Sequence, residues 1–162
     1  LLNFYTYVIK MNQRINKEVP PLKSKVPIFT KKADLKAAWT YSKSDSIPEY
    51  VVPVSNTQLQ MIDSMTILYE LLKKNNIKLS LAVYPWPQQI EFDTIDSKHV
   101  KMWEEFCLKK CEKFINFFPF FFEEKKNSSY LEVYKKYYFW NDVHFNKKGN
   151  KLIADRLIGV FN

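Results

Sequence analysis

Glycine is almost missing from these 162 residues: there are two, Gly149 and Gly159, both close to the end of the chain. Phosphate-cradling loops, dinucleotide fingerprints and the Gly-x-Ser-x-Gly nucleophile elbow need glycine where the backbone turns sharply or approaches a ligand. The chain therefore contains none of them. Histidine is as scarce, with His99 and His144 alone. A metallohydrolase built on an Asp-x-His pair would need several further ligands, which leaves that class weakly supplied. No metal and no organic cofactor are expected. The two cysteines, Cys107 and Cys111, fall on one helical face, and a metal site would need two more ligands at suitable spacing. They read as small core residues of an amphipathic helix. No stretch reaches the ~20 consecutive apolar residues of a membrane span. The opening Leu-Leu-Asn-Phe-Tyr-Thr-Tyr-Val-Ile-Lys has no basic leader, long apolar run or small-residue cleavage site, so it does not read as a signal peptide.

Apolar residues, by contrast, are plentiful. Hydrophobic residues make up 46% and aromatics 17%, which marks a chain that folds around a core. The formal charge of +8 comes mainly from lysines in pairs such as Lys31-Lys32, Lys73-Lys74, Lys125-Lys126 and Lys147-Lys148. These pairs never merge into a dense stripe and no nucleic-acid motif accompanies them, so they read as solvated helix faces. No nucleic-acid partner is expected.

Apolar spacing gives the order of elements. Residues 1 to about 17 read as a helix stopped by Val19-Pro20-Pro21. An extended, proline-broken stretch follows over 20–54. It contains Ala37-Ala38-Trp39-Thr40-Tyr41, a loop or short helix of the kind that forms lids. Ser55 or Asn56 is placed to cap a helix ending near Lys74, with Leu59, Ile62, Met65, Tyr69 and Leu72 on one face. Ile77 to Tyr84 reads as a buried strand ended by Pro85-Trp86-Pro87. Ser97 can cap a second amphipathic helix. The run Phe114 to Phe122, broken by Pro119, holds a short strand and a turn. Tyr130 to Tyr138 reads as helical, and Asn146 caps a final amphipathic helix. Helix, turn and buried strand in succession predict an α/β domain with a parallel sheet. Ligand sites of such sheets lie beyond the carboxyl ends of the strands. The loop after Tyr84 and the turn entering the last helix both qualify.

That last turn, Trp-Asn-Asp-Val-His-Phe-Asn over 140–146, carries the chemistry. A histidine can take a proton from a hydroxyl and return it to a leaving group near neutral pH. A carboxylate two residues away in a turn can reach the ring, fix its tautomer and stabilise the imidazolium. Asp142 and His144 are thus candidate acid and base. A plainer alternative is an Asx-type turn, with Asp142 on backbone N–H groups and His144 packed on an aromatic. His99, in the first turn of the Ser97 helix, reads as a partly exposed surface residue.

The block Asp142-Val143-His144-Phe145-Asn146-Lys147-Lys148-Gly149-Asn150-Lys151-Leu152-Ile153-Ala154 resembles the C-terminal block of the SGNH/GDSL hydrolase superfamily. Val83-Tyr84-Pro85-Trp86-Pro87 after an apolar strand is similar to a segment of bacterial members. The resemblance implies a three-layer α/β/α fold of SGNH or flavodoxin-like type and a serine nucleophile activated by His144, with Asp142 orienting the ring. It implies hydrolysis of small-molecule or glycan esters, or acyl transfer, without a cofactor. The upstream acid position of the commoner Asp-x-x-His spacing holds Asn141, which with Trp39 and Trp86 is a candidate substrate-binding residue. The family's Gly-Asp-Ser and Gly-x-Asn-Asp blocks have no counterpart here. Ser44 and Ser46 flank Asp45 in a polar segment unlike that motif. Residues 1–162 are therefore expected to form one domain that is the C-terminal portion of a longer hydrolase, incomplete at its N-terminus, with the nucleophile upstream. The alternative is a non-catalytic binding domain for an anionic glycan, lipid or protein.

Overall fold

The structure, a computed structural model, describes residues 37–44, 47 and 52–161. The helix expected over residues 1–17 lies outside them, as does most of the 20–54 segment. Within that segment, Ala38–Thr40 forms one short 3₁₀ turn.

Helix α1 (Val54–Lys74) starts from Pro53 rather than from a Ser55 or Asn56 cap. The fixed φ of proline suits entry to a helix, and here it places the boundary ahead of both polar residues. At the other end Asn76 adopts φ 56°, and the amides of Asn76 and Ile77 turn back to the carbonyls of Lys73 (3.1 Å) and Leu72 (2.9 Å). This left-handed closure satisfies carbonyls that the last turn leaves open. Strand β1 is shorter than the apolar pattern predicts, pairing over Ser80–Val83 only. Its partner β2 (Lys113–Asn116) is four residues long and so limits the ladder. The two run parallel, Ser80 opposite Lys113 and Val83 opposite Asn116.

Between the strands lie α2 (Pro87–Phe92) and α3 (Lys98–Lys110). Pro85-Trp86-Pro87 follows the end of β1 as the pattern predicts, but the pattern gives no sign of α2. Pro87 instead takes the first helical position, where its missing N–H costs nothing, and the Gln89 side chain reaches back to the Trp86 N–H at 2.8 Å. Ser97 does cap α3. Its hydroxyl accepts from the His99 N–H (3.2 Å) and donates to Asp93 (2.6 Å). After β2, the aromatic run forms helix α4 (Phe118–Lys126) rather than a turn, because Pro119 falls in its first turn and breaks nothing. Helices α5 (Tyr130–Tyr137) and α6 (Lys147–Phe161) complete the fold.

The described residues are thus mostly helical around a two-stranded parallel sheet. Strand alternation sends neighbours to opposite faces. Val83, Val100, Trp103, Phe106, Cys107 and Phe118 form one core, against which Phe114 and the α1 residues Met61, Ile62, Met65 and Tyr69 pack. Ile115 belongs to the other, with Phe121, Val133, Tyr134, Tyr137 and Tyr138, and α6 lies against it through Leu152, Ile153 and Leu157. Cys107 is buried as expected, but the cysteines are joined as a disulfide. The helix ends at Lys110, and Cys111 leaves it in extended backbone, which brings the two Cα atoms to 4.5 Å. Among the described residues no helix is long and apolar enough to cross a membrane.

Candidate active site: the Asp142–His144 turn

Residues 139–144 form a loop closed by an antiparallel bridge between Tyr138 and Phe145. The Phe139 N–H meets the His144 carbonyl at 3.0 Å, and the Asp142 N–H meets the Phe139 carbonyl at 3.1 Å. Asn141 sits at φ 59°, a left-handed position that asparagine tolerates better than most residues. The loop is pinned from below by Tyr134, which is fully buried. Its hydroxyl donates to the Phe139 carbonyl (2.7 Å) and accepts from the Asp142 N–H (3.1 Å). Burial pushes this phenol up to about 12, so it stays protonated and available as a donor.

On that support Asp142 Oδ1 collects three donors: the Val143 N–H (2.6 Å), the His144 N–H (3.2 Å) and His144 Nδ1 (2.6 Å). The Asx-type turn and the acid–base pair are therefore the same structure. The turn bonds hold the carboxylate where the ring must meet it. Burial raises the Asp142 pKa, but the His144 ring and the backbone donors outweigh it, leaving the carboxyl below its ordinary value. An ionised acceptor on Nδ1 fixes the proton there and leaves Nε2 as the basic nitrogen. The His144 side chain is 77% exposed, so Nε2 is open to a substrate. Among the described residues no hydroxyl or thiol bonds to it.

The two sequence segments that suggested a site meet in space. The Tyr84 ring packs on Phe145 at 4.8 Å, and the Tyr138 hydroxyl donates to the Pro85 carbonyl at 2.6 Å. The pair thus lies beside the chain leaving the carboxyl end of β1, as expected for an α/β sheet. Asn146 anchors the other side. Its Oδ1 accepts from Lys148 N (2.9 Å) and Gly149 N (3.1 Å), and its Nδ2 donates to the carbonyls of Lys136 (3.2 Å) and Tyr138 (3.1 Å). One side chain thus caps α6 and ties it to the end of α5. Trp140 packs on Tyr134 at 5.4 Å, with Lys135 over its ring at 5.5 Å.

Trp39 and Trp86 are brought together, but at another place. They line a hollow of about 250 Å³ with Thr40, Met61, Gln89 and His99, in which Asp142 and His144 take no part. Their neighbour His99 is partly exposed, as expected, but it packs among aromatics rather than standing free on the surface. Its ring is edge-on to Trp39 (5.7 Å) and Phe118 (6.0 Å). Burial, partly opposed by the charge of Asp93, lowers its pKa to about 4. The sequence signal was its place in the first turn of α3, on the side of the apolar Val100 and Trp103 stripe. Among the described residues no three His, Cys, Asp or Glu side chains converge as a metal site. Compared with protein-family models, with curated proteins and with solved structures, the chain matches none.

Proposed function

We propose that the Asp142–His144 turn is the acid–base half of a serine ester hydrolase or acyltransferase of the SGNH/GDSL type, acting on a small-molecule or glycan ester. The observation that carries this is the 2.6 Å contact from Asp142 Oδ1 to His144 Nδ1, with the ring open to solvent. The packing of Tyr84 on Phe145, which joins the two segments of the resemblance, supports it further. The three-layer α/β/α architecture is part of the same proposal. Its support is that helices cover both faces of β2.

In this mechanism a serine supplied from upstream of residue 1 gives its proton to His144 Nε2 as Oγ bonds to the ester carbonyl carbon. Asp142 stabilises the imidazolium. His144 then returns the proton to the leaving alcohol as the C–O bond breaks. Water or a sugar hydroxyl, deprotonated by the same nitrogen, releases the acyl group from the serine. Asn141, exposed in the same loop, would touch the substrate.

The test is hydrolysis of p-nitrophenyl acetate by the full-length gene product. His144→Ala should cost on the order of 10⁶-fold in kcat and Asp142→Asn about 10⁴-fold, as for other triads. The 162-residue chain alone should be nearly inactive. Full-length activity that survives both substitutions refutes the proposal. The second reading is a non-catalytic binding domain for an anionic glycan, lipid or protein. It is favoured by the lack, among the described residues, of any nucleophile bonded to His144. An intact gene product of 19.4 kDa, the mass of this chain, would put that reading first.

A further inference from the structure

We propose that the hollow between Trp39, Trp86 and His99 binds an uncharged, mainly apolar molecule about the size of one substituted six-membered ring, with a hydrogen bond from His99. The volume, the charge and the donor inventory of the lining each narrow the ligand.

The hollow encloses about 250 Å³. A cavity of roughly 150 Å³ is enough for benzene, so this one takes a ring with a substituent. In a chain whose residues are 26% charged, no charged side chain among the described residues lines it. A carboxylate or phosphate entering would lose hydration with no positive side chain among the described lining residues to meet it, which disfavours anions. The walls are two indoles and the Met61 thioether, which favour apolar and ring surfaces.

Two polar side chains of the lining, Thr40 and Gln89, are engaged within the protein. The Thr40 hydroxyl donates to the Ala37 carbonyl at 2.9 Å. Gln89, 3% exposed, spends its Oε1 on the Trp86 N–H at 2.8 Å and points Nε2 at His99 Nδ1, 3.4 Å away. With Nδ1 accepting, the proton of the neutral ring sits on Nε2. That N–H has no partner among the described residues. The burial that lowers this ring to about 4 keeps it neutral at physiological pH. The lining thus offers donors, this N–H and the Trp39 and Trp86 indole N–H groups, and a lone ketone oxygen can accept from one of them. A sugar ring, with several hydroxyls to satisfy, is a poor fit. The inference stands apart from the esterase reading, because binding is read without turnover.

The experiment uses the whole chain labelled with ¹⁵N at its tryptophan indoles, each signal assigned by substitution. Cyclohexanone is the probe, with cyclohexanecarboxylate and methyl glucoside as the charged and polyhydroxylated arms. Cyclohexanone should shift the Trp39 and Trp86 signals saturably and leave Trp103 and Trp140 in place. The other two arms should do neither at the same concentration. His99→Phe keeps the ring but removes the donor, and should weaken cyclohexanone about fivefold. Met61→Trp fills the hollow and should abolish the shift. Both variants are checked for an unchanged melting transition, and either suffices if the other fails to fold. No saturable shift of Trp39 and Trp86 overturns the proposal. So does equal binding of the carboxylate or the glucoside, or cyclohexanone binding unaffected in a folded variant.

Discussion

Replacing glycine by alanine in a helix ordinarily stabilises, and at Gly149 the structure reverses the sign. A Cβ there would stand 2.8 and 2.9 Å from the Phe145 side chain and would press still harder on the Tyr137 carbonyl oxygen. Real Cβ atoms do not come that close. The carbonyl cannot yield freely, because it accepts the Asn146 N–H at 2.9 Å. Moving it disturbs the residue that caps α6 through Lys148 and Gly149. Overpacking of this kind costs about 1–3 kcal/mol. Weakening the cap adds about 1 kcal/mol. The propensity gain of alanine returns about 1 kcal/mol. The net expectation is a loss of about 2 kcal/mol, seen as a fall in melting temperature of about 4–8 °C. Gly159, in the same helix, has nothing within 4 Å of its would-be Cβ. Gly159→Ala should therefore stabilise by about 0.5 kcal/mol, the gain being reduced near the helix end. Thermal and urea melts of the two variants beside the parent chain decide the matter. Gly149→Ala melting at or above the parent would refute the close approach of α6 to Tyr137. Because Phe145 follows His144 directly, the same substitution should also disturb the Asp142–His144 contact.

Other perturbations probe the support of the site. His99 has a folded pKa of about 4 against 6.5 when free, so between these values the unfolded chain binds a proton that the folded one refuses. Its stabilisation is complete above pH 6.5 and falls by on the order of 3 kcal/mol by pH 4. Urea melts across that window should be steeper in pH for the parent than for His99→Phe, and equal slopes would show that the ring is not buried. Tyr138→Phe removes the buried bond to the Pro85 carbonyl and should cost about 1–2 kcal/mol in the same melts. It should also lower the proposed ester turnover of the full-length gene product, whereas unchanged stability and turnover would mean that this bond does not tie the two segments. Asn146→Ala strips the α6 cap and two bonds to the end of α5, an expected loss of about 2 kcal/mol. Asn146→Asp keeps the cap acceptor but not the amide donors and should fall between the two, an order that denaturation midpoints will read.

Where sequence and structure agree, a local rule acts alone. Asn146 and Ser97 cap their helices because a short polar side chain ahead of an apolar stripe has one good use. Ser80–Val83 forms a strand inside the predicted Ile77–Tyr84, but pattern alone cannot set the length of a ladder whose partner lies some thirty residues away. The misses come where proline or an aromatic run has two readings. Pro87 and Pro119 were taken as breaks, yet each falls in the first turn of a helix, where its lost N–H has no partner to forfeit. Cys107 and Cys111 have helical spacing, and their pairing depends on the chain leaving the helix at Cys111, which the apolar pattern does not record.

The candidate site divides along the same line. Asp142 and His144 are two residues apart, so their contact is a property of one turn and could be anticipated from the turn's composition. Tyr134 and Tyr138, which hold that turn against its base and against Pro85, look in sequence like ordinary members of an apolar helix face. Their hydroxyl bonds are seen only after folding. His99 and Gln89 are further from legibility still. The ring packs against Trp39 and Phe118, which come from separate segments, and Gln89 can direct Nε2 toward it only because Oε1 is drawn to the Trp86 N–H. A pair made within one loop can be read from a chain with two histidines, whereas a hollow assembled from distant segments is visible only in the fold.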